Sequence, residues 1–96
     1  MAKSRLRLLG LDIKVREVPV GADQPYATWN YSDLKLAVQK GMNTQVEENV
    51  ILHECLHAIS DMIGLKLTER QVEGLEAGLS SLLRDNGGSL EFLRRK

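Results

Sequence analysis

Two hydrophobic periodicities divide this chain. Over LDIKVREV, residues 11–18, apolar and charged positions alternate: Leu11, Ile13 and Val15, continued by Glu17, share one face, and Lys14 and Arg16 share the other. A period of two predicts a half-buried strand. RLRLL, ahead of Gly10, either begins that strand or pairs with it. VGADQP, residues 20–25, is turn material. ATWN and LKLAV then flank Tyr31, Ser32 and Asp33, which reads as a hairpin. The expectation is a small antiparallel sheet of about three strands over residues 5–39, with LKLAV (Leu34–Val38) as an edge strand next to the first helix.

After residue 44 the period changes to that of a helix. Thr44-Gln45-Val46-Glu47 has the S/T-x-x-E form of a capping box, and Gly64 is a C-terminal stop, so a helix is predicted over about 45–63. Thr68-Glu69-Arg70-Gln71 repeats the form and opens a second helix over about 68–86, stopped by Gly87-Gly88. SLEFLRRK adds a short C-terminal helix over about 89–95. Strands followed by helices predict one α+β domain across residues 1–96.

The first helix contains an anomaly in VILHECLHAISDMIG. At about 100° per residue, Leu52, Cys55, Leu56, Ile59, Met62 and Ile63 form a wide apolar side. His53, Glu54, His57 and Asp61 form a polar stripe on another side. His53 and His57 stand one turn apart, about 6 Å along the axis, on one face. Two imidazoles at that spacing converge on one zinc ion, each at about 2.0–2.1 Å. Glu54, roughly 100° round from His53, is badly placed as a ligand and well placed as a general base for a zinc-activated water. This is the pattern H-E-x-x-H, written His53-Glu54-Cys55-Leu56-His57. His53 and His57 are the chain's only two histidines, which weighs against a chance match. Cys55 points to the apolar side and reads as a small buried hydrophobe.

A third protein ligand is required for a catalytic zinc. Asp61 lies on the same stripe but about 12 Å from His53 along an unbroken helix, so it is expected to orient His57 or to be solvated. The second helix offers Glu69, Glu73 and Glu76 beside an apolar stripe of Val72, Leu75, Leu79, Leu82 and Leu83. Glu76 borders the stripe. Glu73 is flanked by Ala77 and Ser80, small residues that permit close helix approach.

Composition narrows the partners. Lys plus Arg and Asp plus Glu are 13 each, and zero net charge argues against a general nucleic-acid binder. Lys3, Arg5, Arg7, Arg94, Arg95 and Lys96 gather at the ends and read as solvated termini. One cysteine excludes an internal disulfide and fits a reducing compartment. No run reaches the ~18 apolar residues of a membrane span. A cytoplasmic protein is expected, with a modest core that a metal would help to stabilise.

ILHECLHAISDMIGL followed by ERQVEGLEAGLSSLLRDN, with the hairpin WNYSDLKLAV, resembles small phage and prophage zinc-peptidase-like proteins, a reduced form of gluzincin. It is more distantly similar to regulators of the ImmA/IrrE type. The resemblance spans roughly residues 26–86. It implies a zincin-like fold, a zinc cofactor, a peptide or protein substrate and a host-cell cytoplasmic setting. It also implies Glu73 as third ligand, with Glu76 the alternative. Beside it stand Tyr31 or Tyr26 as donor to an oxyanion. Leu34, Lys35, Leu36, Ala37 and Val38 are candidates to pair with an extended peptide. Trp29 reads as a core aromatic. The alternative function is a metal-stabilised binding or regulatory module of phage origin without turnover.

Overall fold

The computed structural model describes residues 5–19 and 26–87. The expected turn at 20–25, the helix over 89–95 and most of the basic terminal residues lie outside them. The protein is α+β: four strands, β1 (Arg5–Leu8), β2 (Leu11–Val18), β3 (Ala27–Asn30) and β4 (Lys35–Gln39), precede α1 (Thr44–Ile63) and α2 (Glu69–Asp85).

RLRL pairs with β2 as a separate strand rather than extending it, which makes four strands instead of about three. The reason is the turn. Leu9 (φ 51°) and Gly10 (φ 81°) are both left-handed, as a two-residue hairpin turn of the mirror-image type demands. A second hairpin joins β3 to β4 through Tyr31–Leu34. Its backbone is closed by the Leu34 N–H donating to the Tyr31 carbonyl, and the Asn30 side chain accepts from the Asp33 N–H.

The sheet order is β1-β2-β4-β3, and β2 runs parallel to β4. The sheet is therefore mixed, not wholly antiparallel as expected. It also moves LKLAV from the edge to the interior: β4 is paired with β2 on one side and β3 on the other. Among the described residues, the strand with a free side next to β4 is β3.

Alternation behaves as the pattern predicts. Ile13, Val15, Leu36 and Val38 point to one face and are buried; Leu6, Leu8, Trp29, Val50, Ile51, Cys55 and Met62 pack on them. Fully burying each of Ile13, Leu36 and Val38 contributes about 1.5–3 kcal/mol. By the same register the opposite face carries Arg5, Lys14 and Lys35 in one row, with Arg7 and Arg16 in the rows beside it. Zero net charge thus conceals a basic sheet face. Among the described residues, no helix is long and apolar enough to cross a membrane.

α1 starts one residue earlier than expected and is capped by Asn43, whose side chain accepts from the Gln45 N–H at 2.9 Å. Asparagine ranks above threonine as an N-cap, so Thr44 becomes the first helical residue. At the other end Gly64 takes the left-handed conformation (φ 71°). The buried Ser60 then organises the connection: its carbonyl accepts from Leu65 N–H, and its hydroxyl from Leu67 N–H. Thr68 and Gln71 complete the predicted capping box of α2. This short link turns α2 back along α1, and α2 packs on α1.

Candidate metal centre

α1 presents His53, Glu54 and His57 half-buried, while Leu56, Ala58 and Ser60 are buried. The two imidazole centroids are 5.0 Å apart, with the ring planes at 61°. Glu69, the first residue of α2, reaches across to both rings. Its carboxylate oxygens lie 2.6 Å from His53 Nε2 and 3.2 Å from His57 Nε2. The capping box fixes this residue's backbone, and a carboxylate in the first turn suits the positive end of the helix dipole. Two turns further along, Glu76 takes the other nitrogen of His53: Nδ1 to Oε1 is 2.7 Å. His53 is thus held between two carboxylates, one at each ring nitrogen.

This arrangement fits a metal ion. One nitrogen from each of His53 and His57 and one oxygen of Glu69 lie within 4.8 Å of one another. A tetrahedral zinc with bonds of about 2.0–2.1 Å holds its ligand atoms roughly 3.3 Å apart. Small side-chain adjustments therefore suffice. A carboxylate on the far nitrogen of a ligating histidine fixes the tautomer that leaves Nε2 free, and makes that nitrogen a better ligand. Glu76 occupies that position for His53.

Without a metal, the surroundings of His53 and Glu54 act on the protons of these two groups. Burial lowers the affinity of His53 for its proton. The Glu76 hydrogen bond and the charges of Glu69, Glu76 and Glu54 outweigh it, so its pKa rises above the ordinary 6.5. Burial also raises the Glu54 carboxyl above its usual range; His57 and His53 pull it back in part, and Glu69 adds to the rise. Burial and the Glu54 charge push the Cys55 thiol up, in keeping with its packing against the core.

Several sequence expectations are placed differently. Glu73 is exposed and is not among the carboxylates that meet the histidines; Glu69 and Glu76 are. The reason lies in how α2 is turned. Val72, buried, and Ser80, Glu76 and Leu83 face inward with Glu69, while Leu75, Leu79 and Leu82 are exposed. The helix is rotated by roughly 70° from the orientation its leucines suggest, at about 100° per residue. The signal for Glu69 was present in its position, first in a helix opened by a capping box after a five-residue link.

Asp61 does not orient His57. It accepts from the Trp29 indole N–H at 2.8 Å, tying β3 to α1. Trp29 packs on the core as expected, and Tyr31 stacks on it at 6.1 Å. Leu34, Lys35, Leu36, Ala37 and Val38 cannot accept an added strand, because both sides of β4 are taken. Tyr26 is exposed at the other end of β3.

Comparison with protein-family models, with curated proteins and with solved structures finds no match to this chain.

Proposed function

We propose that the protein is a zinc-dependent peptidase. The observation that carries the reading is the grip on His53, with Glu69 at Nε2 and Glu76 at Nδ1, beside a second imidazole that shares the Glu69 carboxylate. His53, His57 and Glu69 would hold the ion, and Glu76 would steady His53. Zinc bound there supplies Lewis-acid activation of a water at an open position. Glu54, adjoining both imidazoles but outside the set of three, is the general base. Half-buried beside both imidazoles, it would take a proton from the water and pass it to the leaving amine. The free side of β3 (Ala27–Asn30) is the candidate seat for an extended peptide, in place of β4. The resemblance of the ILHECLHAISDMIGL segment to gluzincins supports the same reading.

A second reading, a metal-stabilised module without turnover, has its own support. An ion at this site would join α1 to α2, and only Val72 among the expected apolar stripe of α2 is fully buried. A clamp would stabilise so thin an interface whether or not chemistry follows. Glu54→Gln separates the two readings. With zinc retained, loss of hydrolysis of an unstructured protein substrate by at least ~100-fold supports the peptidase. Absence of zinc-dependent hydrolysis in the unaltered protein leaves the module.

A further inference from the structure

The charges of the described chain are sorted by layer. α1, α2 and the link between them carry eight acidic residues against three basic ones, Lys66, Arg70 and Arg84. The side of the sheet turned away from the helices reverses this balance. Arg5, Lys14 and Lys35 stand directly opposite one another on β1, β2 and β4, and Arg7 and Arg16 lie in the rows on either side. Lys35 is half-buried and the other four are exposed. Asp12 is the one acidic residue at an outward position of the described strands, and it pairs with Arg7 at 3.7 Å. Like charges directly opposite one another destabilise a sheet. Among the described residues no acidic side chain offsets the row Arg5-Lys14-Lys35, so the fold does not account for it.

We propose that this basic face docks on the phosphate backbone of a nucleic-acid duplex, without reading its sequence. Zero net charge, which on its own argues against such a partner, is here the sum of an acidic helical layer and a basic sheet face. With strands about 4.8 Å apart and alternate residues about 6.6 Å apart, the five cations cover roughly 10 by 13 Å. A duplex presents one phosphate per about 1.7 Å of its axis, enough to meet all five. The three arginines can each grip a phosphate with two parallel hydrogen bonds. What lies between the cations selects this partner over other polyanions. Val18 and Ala37 are the only apolar residues at outward strand positions, so the face lacks the buried apolar anchors of a protein interface and the apolar side chains that enter lipid. A single strand is held by stacking its bases on several aromatic rings. Only Tyr26, in register with Gln39 just before β3, offers one on this side. The metal centre lies on α1 and α2, across the sheet, so a docked duplex leaves it open.

Fluorescence anisotropy of a labelled short DNA duplex of random sequence, titrated with the full chain, tests the proposal. Micromolar binding is expected at about 50 mM salt, weakening by roughly 100–500-fold at about 200 mM, as four or five phosphate contacts require. Lys14→Gln with Lys35→Gln removes two contacts and should flatten the slope of log K against log salt by about 1.8. The same pair of changes relieves the crowded row, so the melting temperature should not fall. Arg70→Gln with Arg84→Gln makes the same charge change on the helical layer and should leave the slope as it is. The readout involves no turnover, so its failure would leave the peptidase reading standing. Absence of duplex binding at about 50 mM salt would overturn the proposal. So would tighter binding to the single strand, to polyglutamate or to phosphatidylserine vesicles than to the duplex, or a salt slope that the two double variants change alike.

Discussion

Replacing Glu76 by alanine is the most informative single change short of removing a ligand. Its carboxylate lies 2.7 Å from His53 Nδ1, with both side chains largely shielded from water at 24% and 19% exposure. The bond therefore escapes most of the solvent screening that weakens surface pairs. Its loss frees the His53 ring to rotate, lets the other tautomer form and lowers the basicity of Nε2. Losing such a partner weakens metal binding by about 10–100-fold, or roughly 1.4–2.7 kcal/mol. Competition titration against a chromogenic zinc chelator at fixed pH and salt reads this directly. Glu73→Ala, one turn back on the same helix and exposed, should change the affinity less than about twofold. Glu69→Ala should weaken it more than Glu76→Ala, since a ligand is gone. If Glu73→Ala gives the large loss and Glu76→Ala none, the rotation assigned to α2 is wrong, and the reasoning built on it fails.

Thr68→Ala removes the side chain that accepts from the Gln71 N–H and should cost about 1 kcal/mol of stability. It should also weaken zinc binding, because Glu69 is the next residue; thermal scans with and without zinc separate the two effects. Trp29→Phe deletes the 2.8 Å bond to Asp61, and a loss of about 0.5–1.5 kcal/mol in urea unfolding is expected, with zinc affinity unchanged. In the metal-free protein, His53 and Glu54 both have raised pKa values, so the folded state holds their protons more tightly than the unfolded chain does. The His53 contribution is complete below pH 6.5 and is lost as pH rises through its higher folded value; the Glu54 effect has the same sign from pH 4.5 upward. Urea titrations of the chelated protein should show these groups favouring folding at pH 5.5 over pH 8. Zinc affinity should run the other way and rise with pH, as protons and metal compete for the same atoms.

The elements with strong local signals were readable from sequence. Alternation located β2, a stop at Gly64 ended α1, and Thr68-Glu69-Arg70-Gln71 opened α2. The candidate histidine pair and its adjacent Glu54 followed from spacing alone. What escaped depended on contacts distant along the chain. The parallel pairing of β2 with β4 is not local, so the hairpin signal between β3 and β4 could not indicate which of the two would be the edge. The choice among Glu69, Glu73 and Glu76 depended on the rotation of α2. A helical wheel orients a helix by its leucines, and here the inward side is instead lined by Glu69, Val72, Glu76 and Ser80. The polar contacts are specific: Glu76 to His53 at 2.7 Å and Ser80 to Asn49 at 3.0 Å. Asp61 was assigned by proximity to His57 along α1, whereas the indole of Trp29, 32 residues away in sequence, claims it.

The most direct test is a crystal structure of the protein grown with zinc, with anomalous differences collected at the zinc edge. The expected map has one peak bonded to His53 Nε2, His57 Nε2 and a Glu69 oxygen at about 2.0–2.2 Å, with Glu76 still on His53 Nδ1. An absent peak between the imidazoles in excess zinc, or a peak ligated by Glu73 with Glu69 turned away, would contradict it.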